Sequence, residues 1–484
     1  MQIAVIQRVI GILLMLFSTT MLPPLLVSLI GGDGNQSPFI ITLALTFFTG
    51  LIAWFPVHNR KEDLRLRDGF LIVVLFWTVL GLFGALPFYL DIIQPLSITD
   101  AVFESVSGLT TTGATVFPHI DGLPVSILYY RQQLQWLGGM GIIVLAVAIL
   151  PMLGIGGMQL YRAETPGPMK DSKLTPRITE TAKALWYIYL GLTVLCAISY
   201  WLAGMDIFDA ISHSFSTVAI GGFSTHDASL GYYVDQPMVE VVATIFMLLA
   251  GANFALHYLA WRRVSLESYR LDEEFLTYLK VFLIIGAVTV LYLIYTDFFL
   301  SWDEAVRHGI FQAVSIGTTT GFTTVNYNHW PALLPVMLLF ASFIGGCAGS
   351  TGGGMKVIRF LLLLKQGARE ISKLIHPNAI FPIKIGGKPV KERVINSVWG
   401  FFATYVAIFA IMMLVLMMTG IDQVTAFSAI AASLNNLGPG LGDVSAHYAN
   451  VGDVAKWVLC FAMLLGRLEI FTLLVLLTPA FWRK

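Results

Sequence analysis

The sequence predicts an all-α polytopic membrane protein in which two N-terminal helices precede four pseudo-symmetric repeats around a central pore. Composition is the first reason, because 56% of the 484 residues are hydrophobic and only 12% are charged, whereas about a quarter of a soluble domain is charged. The second reason is that about ten apolar segments are long enough to cross a bilayer. The third is that four short loops rich in Thr, Gly or Asn interrupt the apolar sequence, each after a segment too short to span.

The predicted spans begin with a run that holds one charge, Arg8, and no obvious small-residue cleavage site. We therefore expect a retained first helix and not a secretory signal. The spans lie near residues 3–30, 39–56, 70–92, 128–156, 184–204, 237–261, 275–299, 331–365, 395–419 and 456–481. We divide the chain into an N-terminal helix pair at 1–68 and pore repeats at 69–160, 161–265, 266–375 and 376–484, the third with a broken second helix.

The charged residues of the connecting loops predict the orientation, because cytoplasmic loops hold the excess of Lys and Arg. Alternate loops are acidic, and the others carry the basic residues Arg60, Lys61, Arg65, Arg67, Arg162, Lys170, Lys173, Arg177, Arg262, Arg263, Arg270, Lys365, Arg369, Lys373, Lys384, Lys388, Lys391 and Arg393. Both termini are therefore expected in the cytoplasm, with the chain in the cytoplasmic (inner) membrane. The balance of 29 basic and 29 acidic residues argues against a nucleic-acid partner.

Each of the four loops follows a short segment with apolar residues at helical spacing and with Ser, Thr or Asp near its start. These segments read SITDAVFESVSG, MDIFDAISHSFS, SWDEAVRHGIFQAVS and GIDQVTAFSAIAAS. Such a pattern predicts a re-entrant half-helix that enters from the non-cytoplasmic side and ends in mid-membrane. Because a helix C-terminus carries partial negative charge, four of them around one cavity would favour a cation.

The loops predict an ion selectivity filter, because glycine lets a strand turn successive carbonyls toward a central axis. Gly113, Gly222 and Gly321 each lie six residues after a serine. In the fourth loop either Gly438 or Gly440 could correspond, and we prefer Gly440 because GPGL resembles the endings of the other loops. The predicted filter comprises Thr110, Thr111, Thr112, Gly113, Ala219, Ile220, Gly221, Gly222, Thr318, Thr319, Thr320, Gly321, Asn436, Leu437, Gly438 and Gly440.

The loops contain no Asp or Glu, and neutral oxygens suit monovalent ions better than divalent ones. The carbonyls expected to bind the ion belong to Thr111, Thr112, Ile220, Gly221, Thr319 and Thr320. A single such loop would be explained better by small-residue helix packing, but four copies on one side favour the filter. Two other classes of function are a secondary transporter of another monovalent cation or small solute and a membrane-embedded enzyme. The enzyme is disfavoured, because no nucleophile, base or metal set converges within the spans.

The sequence resembles the TrkH/TrkG/KtrB/HKT superfamily of potassium transporters, and most closely its bacterial TrkH members. Besides the four loops, the resemblance rests on LGGMGIIVLAVAILP from Leu137, GGCAGSTGGGMK from Gly345 and LLGRLEIF from Leu464. It implies a potassium-channel-like pore with one filter glycine per repeat, and potassium as the transported substrate with no organic cofactor. It also implies a homodimer in the lipid bilayer, docked on a cytosolic TrkA-like nucleotide-binding regulatory subunit. Gly113 at the first filter position favours potassium with some permeability to rubidium.

The glycine-rich stretch that interrupts the eighth span has too many glycines for an unbroken helix, at about 1 kcal/mol each relative to alanine. The resemblance makes it an intramembrane gate below the filter, comprising Gly345, Gly346, Gly349, Ser350, Thr351, Gly352, Gly353, Gly354 and Lys356. Arg467 lies inside the last span and must face protein or water. We expect its side chain to contact this stretch and to favour closure, in preference to pairing with Glu104 or Glu469.

Other polar residues receive structural interpretations. We interpret Arg131 as an anchor at the membrane interface and not as a pore residue. Glu104 and His213 are expected to hydrogen-bond other repeats from within the half-helices. The amides of Asn435 and Asn436 are expected to tie the fourth loop to its neighbours, and Phe223 and Phe322 to pack behind the filter. The three cysteines, Cys196, Cys347 and Cys460, lie in apolar segments without CxxC or Cys/His spacing, so we expect small buried side chains and neither a disulfide framework nor a zinc site.

Overall fold

A computed structural model describes residues 1–59, 65–141 and 178–483. The regular secondary structure in this part of the chain is helical, apart from one pair of two-residue strands. The fold-class prediction is confirmed. Several predictions lie outside the described residues: the span 128–156 beyond residue 141, the boundary at 160–161, and the basic residues Arg60, Lys61, Arg162, Lys170, Lys173 and Arg177.

The N-terminal pair consists of α1 (Ile3–Thr19), α2 (Leu22–Gly31) and α3 (Gln36–Trp54), followed by a 3₁₀ turn at Phe55–Val57. Helices α1 and α2 together form one span of 29 residues. Gly11 and Gly50 bring α1 and α3 into close contact, because a Cβ on Gly50 would lie 2.7 Å from the Gly11 carbonyl oxygen. Small residues at such a crossing are typical of helix pairs in membranes.

Each repeat contains a first helix, a half-helix, an extended loop and a second helix. Repeat 1 comprises α4 (Leu66–Gly84), α5 (Leu86–Tyr89), half-helix α6 (Ile98–Leu109), α7 (Val125–Trp136) and a π-helical turn at Leu137–Gly141. Repeat 2 comprises α8 (Ile178–Leu202), half-helix α9 (Ile207–Ala219), a 3₁₀ turn (Ser229–Tyr233), α10 (Pro237–Ala250) and α11 (Phe254–Arg263).

Repeats 3 and 4 follow the same plan. Repeat 3 comprises α12 (Glu267–Leu271), α13 (Glu273–Tyr295), half-helix α14 (Trp302–Gly317), a 3₁₀ turn (Tyr327–His329), α15 (Leu333–Ile344) and α16 (Val357–Ile375). The antiparallel strands β1 (Lys384–Ile385) and β2 (Lys388–Pro389) lead into repeat 4. Repeat 4 comprises α17 (Glu392–Met417), half-helix α18 (Gln423–Leu434), a 3₁₀ turn (Gly442–Val444), α19 (Asp453–Arg467), α20 (Phe471–Leu477) and α21 (Pro479–Trp482).

The half-helices begin where capping side chains predict. Ser97 and Asp206 each accept a hydrogen bond from the backbone N–H three residues later, and Asp422 accepts from Val424 and Thr425. A capping oxygen replaces a partner that the first turn of a helix lacks. Ser301 precedes α14 without such a bond. All four half-helices are largely buried, so they form the core around which the longer helices pack.

The second helices of repeats 2, 3 and 4 are broken, and this was only partly predicted. The described residues include six helices long and apolar enough to span a bilayer, and two bent pairs raise that number to eight. The predicted break between α15 and α16 is present. The bends of 94° between α10 and α11 and of 116° between α19 and α20 were not predicted. The second bend contains Glu469 and Ile470, both with positive φ.

Candidate functional site

The four half-helices end in the same backbone motif. In each, an N–H beyond the helix bonds the carbonyl five residues earlier: Thr112 to Ser107 (2.8 Å), Gly221 to Ser216 (2.8 Å), Thr320 to Ser315 (2.8 Å) and Leu437 to Ala432 (2.7 Å). This is the Schellman motif, whose penultimate residue is left-handed and usually glycine. Here the left-handed residues are Thr111 (φ 57°), Ile220 (55°), Thr319 (71°) and Asn436 (54°). A β-branched residue in this region is strained, and such strain is concentrated at functional sites.

The shared motif sets the register of the fourth loop and shows that the preference for Gly440 is wrong. Gly438 follows the left-handed Asn436 by two residues, as Gly113 follows Thr111, and its φ is 95°. Gly440 lies against Val444 and Ser428, outside the junction of the loops. The counterpart of the serines is Ala432 and not Ser433, so counting from the wrong residue displaced the assignment.

The four glycines meet their neighbours in a closed ring. An added Cβ on Gly113 would lie 2.1 Å from the Gly221 carbonyl oxygen, and one on Gly222 would lie 2.0 Å from that of Thr320. The corresponding distances are 2.2 Å from Gly321 to Leu437 and 2.6 Å from Gly438 to Thr112. Each glycine thus lies against the carbonyl that precedes the glycine of another repeat, and from glycine to carbonyl the order is repeat 1 to 2, 2 to 3, 3 to 4 and 4 to 1.

The threonine hydroxyl groups mostly form hydrogen bonds within their own loops. Thr110 Oγ1 is 2.7 Å from Thr112 Oγ1, and Thr318 Oγ1 is 2.8 Å from Thr320 Oγ1. Ala219, at the position of Thr110 and Thr318, is the last residue of α9 and is fully buried. Among the described residues no group of three or more His, Cys, Asp or Glu side chains could hold a metal ion. A cation at the ring would therefore meet mainly backbone oxygens.

A cavity of about 350 Å³ opens on one side of the ring. Its lining includes Gly113, Gly222, Gly321 and Gly438, together with polar loop residues such as His226 and Asn326. A small solute in this cavity would be next to all four loops.

The glycine-rich stretch between α15 and α16 lies against the inner ends of the half-helices. Gly353 N donates to Thr319 Oγ1 (2.7 Å), and Gly354 N donates to Asn435 O (3.1 Å). Thr351 Oγ1 donates to Val218 O (2.9 Å) in repeat 2. The stretch therefore touches repeats 2, 3 and 4 at one level. The Lys356 side chain folds back and donates to the Gly352 carbonyl.

The Arg467 side chain contacts this stretch, as expected, and links it to repeat 1. Its guanidinium donates to Thr351 O (3.2 Å) and Thr111 Oγ1 (3.1 Å), and to the carbonyls of Gly138 and Gly139 (2.6 Å each). The alternative partners are occupied elsewhere, because Glu469 pairs with Arg359 and Glu104 pairs with Arg131. Only a guanidinium offers so many donors in a fixed fork.

The interpretation of Arg131 as an interface anchor is wrong. Arg131 and Glu104 are both fully buried and pair at 2.7 Å, and Arg131 also donates to Ser224 O (3.0 Å) in repeat 2. Its guanidinium lies 4.2 Å from the ring centroid of Phe223, which is buried. Because burying an ion pair is costly, its partners on two loops indicate that it fixes their relative position.

Some of the remaining predicted contacts are absent and others are present. Glu104 bonds Thr115 and Val116, and His213 bonds Ser224, so both bond their own repeats and the expectation of partners in other repeats is wrong. The amides of repeat 4 do reach its neighbours: Asn436 Nδ2 donates to Thr112 Oγ1 (3.0 Å), and Asn435 Nδ2 donates to Ser342 Oγ (2.9 Å).

Sequence reasoning missed Gln135, whose side chain is within hydrogen-bond distance of two residues of the repeat 2 loop. Its Nε2 donates to Gly221 O (2.6 Å), and its Oε1 accepts from Phe223 N (3.1 Å). The signal was weak, since YYRQQLQW contains three glutamines and only the fold distinguishes them. Four polar residues within one apolar span were nevertheless a sign that this helix faces protein.

The fold and the site together define a polytopic α-helical membrane protein built from four pore-loop repeats. The chain belongs to the TrkH family, described as cation transport proteins, which matches residues 35–484. It is 58% identical over its full length to the Trk system potassium uptake protein TrkH of Vibrio parahaemolyticus and 54% identical to that of Escherichia coli K12, with both proteins covered completely. Identity to the E. coli K12 Trk system potassium uptake protein TrkG is 43%, over 100% of this chain and 99% of TrkG.

A solved structure agrees with these relatives. The crystal structure of the potassium transporter TrkH from V. parahaemolyticus superposes with a TM-score of 0.91 at 56% identity, and each chain is covered completely. At this identity the likeness extends beyond the fold to the family, which also includes TrkI of Halomonas elongata at 36% identity.

Proposed function

We propose that this chain carries potassium into the cell through the ring of four loops, as its relatives' names describe for them. The closed contact between Gly113, Gly222, Gly321, Gly438 and the neighbouring carbonyls carries the proposal. Four chain segments far apart in sequence converge there, and they bring uncharged oxygens. Carbonyl oxygens replace the hydration shell of a monovalent cation in a selectivity filter.

The glycine-rich stretch is the proposed gate. Its hydrogen bonds to Thr319, Asn435 and Val218 lie on the side of the ring away from the cavity, across the path that an ion would take. Arg467 holds the stretch to Gly138 and Gly139. In this proposal the described arrangement is the closed state, and ion passage requires these bonds to break.

The proposal extends to the setting of the protein. We propose that both termini lie in the cytoplasm and that the chain lies in the inner membrane, because basic loops favour the cytoplasmic side. A homodimer and a cytosolic TrkA-like nucleotide-binding subunit remain proposals that rest on the family. The basic segment from Lys365 to Arg393 suits such a partner, and it includes the β1–β2 hairpin, which Lys365 joins through the Lys384 carbonyl (2.7 Å).

Isotope flux into liposomes tests this function. The full chain is reconstituted, the voltage is clamped with a proton ionophore, and rubidium and sodium uptake are compared. Rubidium uptake above that of empty liposomes, and faster than sodium uptake, supports a potassium-selective path. Equal uptake of both ions, or uptake of neither, contradicts it.

A second experiment tests the gate. Because Arg467 donates to several carbonyls at once, Arg467→Ala should raise rubidium flux several-fold in the absence of a partner. Arg467→Lys should give a similar rise, since an ammonium cannot reproduce the fork. The exposed Arg263, at the end of α11, supplies the control Arg263→Ala. Flux through both Arg467 variants at the level of the unmodified chain would contradict the gate.

A further inference from the structure

The loop of repeat 2 is held in place differently from the loops of repeats 1 and 3. Repeats 1 and 3 carry a pair of threonines, and their hydroxyls bond across the left-handed residue: Thr110 with Thr112, and Thr318 with Thr320. Repeat 2 has Ala219 and Gly221 at the same positions, so it can form no such bond. Its left-handed residue, Ile220, also has no hydroxyl.

Gln135 occupies the place of the missing pair. Its amide bonds the loop on both sides of Gly222, donating to Gly221 O (2.6 Å) and accepting from Phe223 N (3.1 Å). These two partners fix the orientation of the amide, because the reverse orientation would face donor with donor and acceptor with acceptor. The Gln135 side chain is fully buried, so neither bond can be replaced readily by water.

Because Gly221 has no side chain, there is room for Gln135 beside it. A Cβ on Gly221 would lie 2.3 Å from Gln135 Cδ and 2.4 Å from its Oε1. The backbone does not itself require glycine there, since Gly222 has a φ of 77° and Gly221 lies outside the left-handed region. The glycine at 221 is therefore explained by the glutamine and not by the chain conformation.

We propose that Gln135 is a positioning residue of the filter, which holds the Gly221 carbonyl in the ring and so sets the discrimination between cations. The proposal rests on the function proposed above. Gln135 acts through the backbone of repeat 2 and needs no contact with the ion. A carbonyl that loses this donor can rotate about its peptide plane, and the ring then fits cations of different size less selectively.

The test is the ratio of rubidium to sodium flux through the full chain in liposomes. Gln135→Ala removes both bonds, and Gln135→Met removes them while keeping the volume. Each should lower the ratio roughly three- to tenfold, the factor that corresponds to one lost hydrogen bond. The matched control is Gln133→Ala, because Gln133 lies on the same helix and is also buried, but its amide bonds Thr20 O (2.6 Å), away from the ring. The control should lower thermal stability without changing the ratio.

A paired substitution separates positioning from general packing. Gly221→Ala should lower the ratio in the unmodified chain, because the new methyl group displaces Gln135. It should have no further effect in the Gln135→Ala background, where the space is vacant. Unchanged ratios in Gln135→Ala and Gln135→Met would overturn the proposal, and so would an equal effect of Gly221→Ala in both backgrounds. If the unmodified chain conducts no rubidium, it is the proposed function that fails first, and the Gln135 proposal falls with it.

Discussion

At the scale of single residues, the ring combines two kinds of left-handed position. Gly113, Gly222, Gly321 and Gly438 occupy one kind, and an alanine there would meet both a strained φ and a neighbouring carbonyl. The other kind is occupied by Thr111, Ile220, Thr319 and Asn436. Three of these side chains are β-branched, so the surrounding structure must hold them in place. Two of these side chains contact the proposed gate, since Arg467 donates to Thr111 Oγ1 and Gly353 N donates to Thr319 Oγ1.

The register of the fourth loop gives a direct prediction. Gly438→Ala should lower rubidium flux at least about tenfold, since a left-handed L-residue costs roughly 1–2 kcal/mol and its methyl group would lie 2.6 Å from the Thr112 carbonyl oxygen. Gly440→Ala meets a methyl group of Val444 and no carbonyl of a neighbouring loop, and it should keep the preference for rubidium over sodium. Liposome flux of the two variants decides between them. A normal Gly438→Ala beside a non-selective Gly440→Ala would contradict the assignment.

His226, which lines the cavity above the ring, predicts a pH dependence. Burial alone would lower its pKa, but hydrogen bonds and charge from Asp209 and Asp121 outweigh that effect and raise the pKa above the usual 6.5. Folding therefore favours the protonated ring, so this contribution to stability is complete below pH 6.5 and is lost as pH rises through the raised pKa.

Thermal unfolding in detergent between pH 6 and pH 9 measures this contribution. The midpoint should fall as pH rises, by about 1–2 °C from this group, and His226→Asn should remove that part of the decline. His119→Asn supplies the control, because the His119 side chain is 84% exposed. A pH profile of His226→Asn parallel to that of the unmodified chain would show that His226 is not responsible.

At the scale of elements, the proposed gate depends on where helices stop. Helix α15 ends at Ile344 and α16 begins at Val357, and the stretch between them is tied back to α13 by one carboxylate. Glu274 Oε1 accepts from Ala348 N (2.7 Å) and from Ile358 N (3.2 Å). The adjacent Glu273 bonds Gly386 N (2.7 Å) in the β1–β2 hairpin. Two neighbouring side chains thus connect the stretch and the hairpin to the same helix end.

This arrangement predicts that Glu274 restrains the gate. Glu274→Ala removes the acceptor of two backbone donors, and we expect rubidium flux without a partner to rise about two- to fivefold, the effect of a lost charged hydrogen bond reduced by rearrangement. Glu267→Ala is the control, since Glu267 is exposed on the neighbouring helix α12. A Glu274→Ala flux that does not exceed the control would place the restraint elsewhere.

The elements were largely predictable from the sequence, whereas their junctions were not. Apolar length and capping residues identify the spans and half-helices, because these signals are local. The bends after Ala250 and Arg467 were missed because each apolar run continues through them and only Gly251 and Glu469 mark the breaks. The register of the fourth loop was predicted wrongly because Ser433 is next to Ala432, and Ala432 is the residue that corresponds to the serines of the other loops. The Arg131–Glu104 pair joins two helices of repeat 1, and Gln135 bonds the loop of repeat 2. Both depend on tertiary contacts, which local patterns do not reveal.

At the scale of the whole molecule, the ring exists only through the assembly of all four repeats. Each glycine packs on a carbonyl of another repeat, and Arg467 and the glycine-rich stretch join all four at the opposite end. A substitution at one wall should therefore alter ion preference without dissolving the fold, because the longer helices that surround the ring have their own buried contacts.

The most direct measurement is anomalous diffraction from crystals of the chain grown in rubidium chloride. The account predicts rubidium density on the axis of the ring, within coordination distance of the carbonyl oxygens of Thr112, Gly221, Thr320 and Leu437. It also predicts that sodium chloride, in competition, leaves this density in place. An empty axis in crystals of a protein that conducts rubidium, or density confined to sites away from the four glycines, would contradict it.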